Sequence, residues 1–356
     1  MTRNSMAKAR TGPELPAMFA RYKDLVEQEL SRSVPGSDDA DLHVLLRYHL
    51  GWVDRHGNPA QSPVSQGKAL RPTLCLFACE ALSGETDRAL PGAAALELIH
   101  NFSLVHDDIQ DQDLERRHQP TVWSLWGIPK ALVAGNAMQS VGDLALLGAA
   151  RRNSPPETVL KVSEILTSAY LEMIEGQCQD MAFESRSDIT TEEYLTMIAL
   201  KTGALIRSGL EIGALLAGGD VAAVEAFRQV GSYLGRAFQV RDDYLGIWGD
   251  ETTIGKASGN DIRRRKKSFP VVVAFSQAGG PARDDLMRIY RKEELDEEDV
   301  IRVLAVLEEV GAREQSQRVT EASAAAALKA LDSIPLPPWA RTEAEELVDY
   351  LAWREY

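Results

Sequence analysis

The spacing of apolar residues is helical along nearly the whole chain. In one segment after another they recur every three or four residues, as they do on the buried face of an amphipathic helix. This pattern predicts a first helix at residues 15–31, a second at 43–50 and a third at 72–82. No segment alternates steadily between apolar and polar residues, which is the pattern of a half-buried strand. The sequence therefore predicts an all-α fold.

Short breaks separate the helical segments. A loop rich in Gly, Pro, Asn and Ser occupies residues 54–66, ahead of the third helix. Later breaks lie at residues 83–85, 118–120, 127–129, 154–156, 185–189 and 218–219. From Arg291 onward, Ala, Glu and Leu at helical spacing predict two or three further helices, with the last break at residues 335–338. The carboxylates of this tail are dispersed among Lys and Arg, which is typical of a solvated surface.

The most informative stretch, residues 97–117, reads ELIHNFSLVHDDIQDQDLERR. Its first half is apolar nearly all round, as in a buried helix, yet it leads into Asp107, Asp108 and Asp111. On a helix Asp107 and Asp111 lie within about 40° of each other and Asp108 about 100° from Asp107, so the three carboxylates share one edge. Because like charges one turn apart repel, such a cluster requires a bound cation or full solvation.

An isolated acidic run at a helix end is typical of a solvated surface. A second cluster favours a different interpretation, because Asp242 and Asp243 also follow an apolar run, residues 230–240, with Asp250 slightly further on. Two acidic helix ends can face each other across a cavity. Carboxylate oxygens without His or Cys favour Mg²⁺, which takes one or two protein carboxylates and completes its coordination with water and substrate phosphates. The two clusters together predict a Mg²⁺-diphosphate site.

The length of 356 residues allows one large core or two domains. Because the two acidic clusters have to meet, we expect a single domain over residues 1–356, with residues 1–13 disordered. The formal net charge of −14 argues against nucleic acid as a partner. A protein this acidic needs metal ions and local Lys and Arg residues where it binds a polyanion.

Cysteine content and hydropathy indicate the compartment. Three cysteines are too few for a disulfide framework, and Cys75 and Cys79, one turn apart in an apolar segment, are expected in the core. The basic N-terminus lacks the apolar segment of a secretory signal. The most apolar window, residues 131–150, contains Asn136 and Asp143, so we expect a buried helix there and no transmembrane segment. We expect a cytoplasmic protein.

Together with the basic segment GKALRP at residues 67–72, the two acidic clusters resemble those of the trans-prenyltransferases, the polyprenyl synthetase family of isoprenoid diphosphate synthases. The resemblance extends from about residue 65 to about residue 274, in the family's order and approximate spacing. It implies one helical bundle around a central cavity and a homodimer. It also implies isopentenyl diphosphate and allylic diphosphates as substrates, and Mg²⁺ as the cofactor, three ions being bound with the allylic diphosphate.

The resemblance also implies roles for individual residues. The metal ions would be ligated or oriented by Asp107, Asp108, Asp111, Asp242 and Asp243. The allylic diphosphate would be bound by Lys201, Thr202, Arg116 and either Lys256 or Lys266, with Gln239 and Gln177 as further polar positions of the cavity. Isopentenyl diphosphate would be bound by Lys68, Arg71, His100 and Arg117. Taken alone, His100 would be an ordinary core histidine, but it lies two turns before Asp107, on nearly the same helix face.

Four positions depart from the family pattern. Gly246 stands where the second cluster commonly has a third aspartate, and Asn136 stands where the family usually has aspartate. Ala69 and His118 replace a common arginine and a common glycine. Members of the family with glycine at the position of Gly246 are still synthases, so we expect activity.

The length of the product is predicted from the residues before the first acidic cluster. Phe102 lies five residues before Asp107, about 7.5 Å deeper along the helix axis. In the family a bulky aromatic residue at this place stops the growing chain, and a second one directly after it shortens the product further. Here the next residue is the small Ser103, which implies a C20 product, geranylgeranyl diphosphate. The alternative is that Phe102 only fills the core.

The expected function is thus Mg²⁺-dependent head-to-tail condensation giving a short-chain, all-trans prenyl diphosphate. A farnesyl or C25 diphosphate synthase is the nearest alternative. A terpene cyclase on the same fold would have no need of the isopentenyl diphosphate residues. A non-catalytic partner subunit would have no need of the aspartates.

Overall fold

The computed structural model describes residues 14–36, 41–60, 67–249 and 259–355, and within these ranges the fold is all-α. Two strands of two residues each, β1 (Glu115–Arg116) and β2 (Gln119–Pro120), pair as a small antiparallel hairpin, the one sheet in the described part of the chain. The predicted fold class is confirmed. Residues 1–13, for which the sequence predicts disorder, lie outside the described residues.

The helices follow one another with short connections. The first half of the chain contains α1 (Ala17–Ser33), α2 (Asp41–His49), α3 (Leu70–Ser83), α4 (Leu90–Gln110), α5 (Val122–Trp126), α6 (Ile128–Leu147) and α7 (Pro156–Phe183). The second half contains α8 (Thr191–Ile198), α9 (Ala204–Leu216), α10 (Val221–Trp248), α11 (Asn260–Arg263), α12 (Phe269–Gln277), α13 (Gly280–Ile289), α14 (Glu297–Glu309), α15 (Ala312–Leu331) and α16 (Pro338–Trp353).

Local signals set several helix ends. At the start of α8 the Thr190 side chain accepts a hydrogen bond from the Glu193 amide, and the Glu193 carboxylate accepts one from the Thr190 amide, which is a capping box. Asp296 and Asp299 form the same arrangement at the start of α14. The first three predicted helices agree with α1, α2 and α3 to within two residues at each end. The tail forms three helices, α14 to α16, which confirms that prediction.

Helices α4 and α10 lie at the centre of the fold. Helix α4 is buried nearly all round and packs into the larger of two apolar clusters. The first part of α10, with Phe227 and Leu234, packs into the same cluster. Its last part, with Val240 and Ile247, packs into the second cluster together with α12 and α14. Helix α10 therefore joins the two halves of the core, and the acidic motifs lie at the ends of these two central helices.

Glycines allow the central helices to approach closely. A Cβ atom at Gly213 on α9 would lie 2.1 Å from the carbonyl oxygen of Cys75 on α3. A Cβ atom at Gly231 on α10 would lie 2.5 Å from the Cα atom of Arg207 on α9. Because any side chain at these positions would overlap backbone, the glycines fix the separation of α3, α9 and α10. That separation sets the width of the space between the helices.

The apolar window at residues 131–150 belongs mostly to α6, and part of its surface is exposed. No helix in the described ranges is long and apolar enough to cross a membrane. Cys75 and Cys79 are buried in the core, as predicted, and Cys178 is exposed.

We expect Gly213→Ala to lower the free energy of unfolding by about 1–3 kcal/mol, because the added methyl group must push α9 away from α3. Chemical denaturation followed by circular dichroism measures the change. Gly279→Ala is the matched control: a Cβ atom there meets nothing within 4 Å, so the change should stay within about 0.5 kcal/mol. Equal effects of the two substitutions would contradict the close approach.

Candidate active site

A cavity of about 730 Å³ lies between the acidic ends of α4 and α10, with α7 and the segment before α9 completing its wall. It is lined by most of the residues predicted for the site: Arg71, His100, Phe102, Ser103, Asp107, Asp111, Arg116, Arg117, Lys201, Thr202, Gln239, Asp242 and Lys266. Gln177 lines it as well. Lys68, Asp108 and Asp243 do not line it, and Lys256 lies outside the described residues. The two acidic clusters meet at one cavity, as predicted.

Asp107 and Asp111 face the cavity from the end of α4. Burial has the largest effect on the pKa of Asp107, which is raised to about 6, while Lys201 opposes the shift and Asp111 adds to it. Burial also raises the pKa of Asp111, again against the influence of Lys201. Burial disfavours the charged form of a carboxylate, which is why its pKa rises. A cation that binds there stabilises the charged form, and the carboxylate has already lost part of its hydration on folding.

Asp108 points away from the cavity, toward the hairpin that follows α4. Its Oδ1 atom accepts a hydrogen bond of 2.7 Å from Arg116 Nε. Its Oδ2 atom is buried and has no hydrogen-bond partner among the described residues. Burial raises the pKa of Asp108 to about 6, although Arg116 opposes the shift. The helical geometry that separates Asp108 from Asp107 by about 100° thus puts the two carboxylates into different surroundings.

The donor set at the end of α4 fits Mg²⁺. In the part of the chain that the structure describes, no three His, Cys, Asp or Glu side chains converge closely enough to hold a metal ion by themselves. Mg²⁺ commonly needs only one or two protein carboxylates, because waters and substrate phosphates supply its other ligands. Asp107 and Asp111 both line the cavity, and the raised pKa of Asp107 is consistent with such a shared site.

The hairpin β1–β2 places two neighbouring arginines differently. Arg116 contacts Asp108, whereas Arg117 lies against Gly67, where a Cβ atom would be 2.8 Å from Arg117 Nη2. Arg117 and His118 have φ angles of 53° and 62°, as the two central residues of a type I′ turn require. Glycine adopts this conformation without strain, which explains why the resemblance predicts glycine at the position of His118.

A second group of side chains on the cavity wall, Arg71, His100 and Arg117, is basic. Arg71 Nε is buried without a hydrogen-bond partner among the described residues. Burial lowers the pKa of Arg71 to about 10, and the nearby carboxylate of Glu97 opposes the shift. Burial and the guanidinium groups of Arg71 and Arg117 lower the pKa of His100 well below its usual value, so His100 is neutral. Guanidinium groups with unused donors are suited to phosphate oxygens.

Lys68 lies next to the C-terminal helix instead of on the cavity wall. Its ammonium group donates a hydrogen bond to the Tyr350 hydroxyl and lies 5.2 Å from the centre of the Tyr350 ring. Burial lowers the pKa of Lys68 to about 8, with Arg354 adding to the shift and Asp242 opposing it. Lys68 is therefore close to the second acidic cluster.

Arg354 is a site residue that the sequence did not indicate. Its side chain is buried, and its Nη2 atom lies 3.1 Å from Asp242 Oδ1. Its guanidinium group lies over the Phe238 ring, and its carbonyl oxygen accepts two hydrogen bonds from Arg241. The charges of the tail are dispersed in sequence, so no local signal distinguishes this arginine from the solvated ones.

Asp243 is buried and fully hydrogen-bonded. One carboxylate oxygen accepts from the Tyr194 hydroxyl and from the Phe269 amide at 3.0 Å. The other accepts from Gln239 Nε2 at 3.1 Å and from Lys266 Nζ at 3.4 Å. Gln239 in turn accepts a hydrogen bond of 2.7 Å from the Thr202 hydroxyl. Asp243 thus holds three residues of the cavity wall in fixed positions, and its role as a metal ligand stays a prediction.

Lys201 is presented by an irregular turn. The residues from Ala199 to Gly203 form a π-helical turn, a feature frequent at functional sites. This turn lies against Gly176 on α7, where a Cβ atom would be 2.3 Å from the Lys201 amide nitrogen. The Lys201 ammonium group forms an ion pair with Asp180, which also lines the cavity.

The glycine at position 246 accommodates another carboxylate. A Cβ atom at Gly246 would lie 2.4 Å from Asp261 Oδ2, so Asp261 occupies the space that a third aspartate of the cluster would need. Asp261 Oδ2 is also 3.7 Å from Lys266 Nζ. Burial alone would lower the pKa of Lys266, but Asp243 and Asp261 raise it, so this lysine stays charged. Asp250, the next aspartate after the second cluster, lies outside the described residues.

Comparisons with known proteins agree with this geometry. A family model for polyprenyl synthetase matches residues 54–307. A farnesyl diphosphate synthase of Mycobacterium tuberculosis is 44% identical over 245 residues, a match that spans 69% of this chain but only 66% of that relative's length. A geranylgeranyl diphosphate synthase of the same organism is 36% identical over 298 residues, 83% of each chain.

A solved structure is also similar to this chain over nearly its whole length. The geranylgeranyl pyrophosphate synthetase of Pyrococcus horikoshii superposes with a TM-score of 0.85 at 34% identity, covering 95% of this chain and 98% of that one. The family model covers well over half of the chain, and the geranylgeranyl diphosphate synthase exceeds 30% identity over more than two thirds of it. The chain belongs to the polyprenyl synthetase family, the trans-prenyltransferases.

Proposed function

We propose that the protein condenses isopentenyl diphosphate head-to-tail with allylic diphosphates to give a short-chain all-trans prenyl diphosphate, mainly C20 geranylgeranyl diphosphate. The observation that carries this proposal is a single cavity whose lining contains both carboxylates and guanidinium groups. Asp107 and Asp242 belong to this lining, and so do Arg71 and Arg117. The carboxylates suit a diphosphate bound with metal ions, and the guanidinium groups suit a diphosphate bound directly.

Asp107, Asp111 and Asp242, which line the cavity, would hold Mg²⁺, and Asp108 and Asp243 are predicted to ligate or orient it. When bound, Mg²⁺ neutralises the charge that develops on the departing diphosphate. Lys201 and Lys266 also line the cavity, and their ammonium groups would donate hydrogen bonds to the oxygens of the departing diphosphate. Lys256 is predicted to do the same.

Arg71, His100 and Arg117 would bind isopentenyl diphosphate directly. Lys68 is predicted to bind it as well, from its position against Tyr350. The neutral imidazole of His100 would donate one hydrogen bond to this diphosphate without adding positive charge to the site. In the reaction, the allylic carbon–oxygen bond breaks and its electron pair leaves with the diphosphate. The double bond of isopentenyl diphosphate attacks the resulting cation, and a proton is then lost. No protein nucleophile takes part.

Farnesyl diphosphate synthase is the second candidate, since a relative of that name is 44% identical. The two candidates differ only in the length of the product. A C25 synthase, a terpene cyclase and a non-catalytic partner subunit have less support. The partly buried Arg71 and Arg117, which line the cavity, argue against a cyclase, and the raised pKa of the cavity-facing Asp107 argues against a silent subunit.

We also propose a homodimer in the cytoplasm. Helices α6 and α7 expose several large apolar side chains: Leu132, Val133, Leu144, Leu147, Leu160 and Leu171. A second copy of the chain would cover them. Sedimentation at several protein concentrations measures the stoichiometry, and a monomer at micromolar concentration would contradict this part of the proposal.

Incubation with Mg²⁺, isopentenyl diphosphate and each of the three shortest allylic diphosphates, followed by product sizing, tests the proposed function. The proposal expects a C20 product from each allylic substrate and none when the metal is chelated. Cyclic hydrocarbons formed without isopentenyl diphosphate would identify a cyclase. Absence of any product would favour the partner subunit.

We expect Asp107→Asn to lower turnover by roughly a hundredfold or more, because a metal ligand that stabilises developing charge contributes several kcal/mol. The fold should persist, and thermal stability without Mg²⁺ should be unchanged or slightly raised, since a buried repelling charge is removed. The exposed Asp284→Asn serves as the control. Near-normal turnover of Asp107→Asn would remove the metal site from the proposal.

We expect Arg71→Ala to weaken binding of isopentenyl diphosphate by about ten- to a hundredfold, the equivalent of losing a hydrogen bond to a charged group, while the allylic KM changes little. Steady-state kinetics with each substrate varied in turn measures both effects. Arg207→Ala, which removes an arginine paired with Glu172 outside the cavity lining, is the control. Equal weakening of both substrates would mean that the two diphosphate sites are wrongly divided.

We expect Phe102→Ala to give C25 or longer products, because it removes the aromatic ring that limits the depth of the cavity. Ser103→Phe should shift the output toward C15. Radiolabelled products separated by chain length give the distributions. If Phe102→Ala leaves product length unchanged while stability falls by about 3–5 kcal/mol, as for a core truncation, the ring only packs the core and the C20 assignment loses its basis.

A further inference from the structure

Phe102 is held by a second ring on the same helix. The ring of His106, one turn further along α4, meets it edge-to-face, with 5.1 Å between the ring centroids and 81° between the ring planes. Both side chains line the cavity. Phe102 is buried, while His106 is only partly so. The position of the Phe102 ring therefore depends on the position of the His106 ring.

The His106 ring is in turn seated on a glycine of α6. A Cβ atom at Gly135 would lie 2.3 Å from His106 Nε2 and 2.5 Å from His106 Cδ2. Real Cβ atoms do not approach that closely, so the ring fits its place only because position 135 has no side chain. His106 Nε2 also lies 3.4 Å from the carbonyl oxygen of Leu132, one turn earlier on α6.

The register between α4 and α6 keeps this contact in place. Seven residues beyond Gly135, a Cβ atom at Gly142 would lie 3.2 Å from the side chain of Ile99, which precedes His106 by seven residues. The two helices run antiparallel, and both contacts have the same two-turn spacing. Because Ile99 is fully buried, α4 cannot slide along α6 to give the His106 ring another position.

We propose that His106, seated on Gly135, is a positioning residue that fixes the Phe102 ring and so sets the length of the product. This inference rests on the proposed function. His106 does not itself have to touch the growing chain, since its effect passes through Phe102. Gly135 is the second determinant, because any larger residue there must move the His106 ring away from α6 and into the cavity that both rings line.

Two substitutions should change product length in opposite directions. His106→Ala removes the support of the Phe102 ring and should raise the fraction of products longer than those of the wild type severalfold. Gly135→Ala should shift the distribution toward shorter products. His106→Phe, which keeps a planar ring, should retain most of the wild-type distribution. Gly148→Ala, directly after the same helix, is the matched control, because a Cβ atom there only reaches an ordinary 3.6 Å contact with Pro91.

The double variant His106→Ala, Gly135→Ala gives the sharpest test. If the methyl group at position 135 acts by displacing the His106 ring, it should have no effect on product length once that ring is gone. A shift as large in the His106→Ala background as in the wild type would overturn the proposal. So would unchanged product lengths in both single variants.

A measurement without catalysis separates this inference from the proposed function. In proton NMR spectra, the ring protons of His106 should show a shift caused by the Phe102 ring, lost in Phe102→Leu and changed in Gly135→Ala but not in Gly148→Ala. If these shifts behave as expected and the wild type makes no prenyl diphosphate, the proposed function fails while the contact stands. If the His106 signals are the same in Gly135→Ala and the wild type, the positioning role is wrong, whatever the enzyme makes.

Discussion

Burial of negative charge at the end of α4 is the constraint on which the rest of the site depends. Asp107 and Asp108 lie at the end of a helix that is apolar nearly all round, so the fold that buries the helix also desolvates them. Arg116 and Lys201 offset this only in part, and one oxygen of Asp108 has no partner among the described residues. An unpaired buried polar group costs about 1–3 kcal/mol. Metal ions that arrive with a diphosphate would instead meet the cavity-facing Asp107, whose charge is also disfavoured by burial, and would neutralise that charge as they bind.

The basic part of the cavity wall, which includes Arg71 and Arg117, is likewise disfavoured by burial, but there the disfavoured charge is positive. Arg71 and Arg117 are buried enough for their pKa values to fall, and Glu97 is the carboxylate that opposes both shifts. The backbone that presents this end is strained, since Ala69, Arg117 and His118 all have positive φ angles. Residues in such conformations persist only where the surrounding structure holds them. Guanidinium groups that such a backbone holds in place are suited to a diphosphate that binds without metal ions.

The sequence predicts those parts of the structure that depend on local patterning. Apolar spacing predicts the helices, and helical geometry places Asp107 and Asp111 on one side. Asp108, which we expected on the same edge, faces the hairpin instead, because Arg116 draws it there. What it does not predict are contacts between segments distant in sequence. Arg354 reaches Asp242 only because α16 packs against α10, and the carboxylate of Asp261 fills the space over Gly246 only because the chain folds back after α10. Neither residue belongs to a motif, so no spacing rule distinguishes them from solvated charges.

Thermal stability of the wild-type protein with Mg²⁺ and inorganic diphosphate, added singly and together, tests the central claim most directly. Ligands that bind only the folded state raise its stability in proportion to their binding. Because no three metal-ligating side chains in the described ranges converge on one point, we predict small shifts in Tm with either ligand alone and a much larger shift with both. A rise with Mg²⁺ alone equal to that with both ligands would show a metal site built by the protein itself. That result would contradict the account of carboxylates that share their metal ions with a substrate diphosphate.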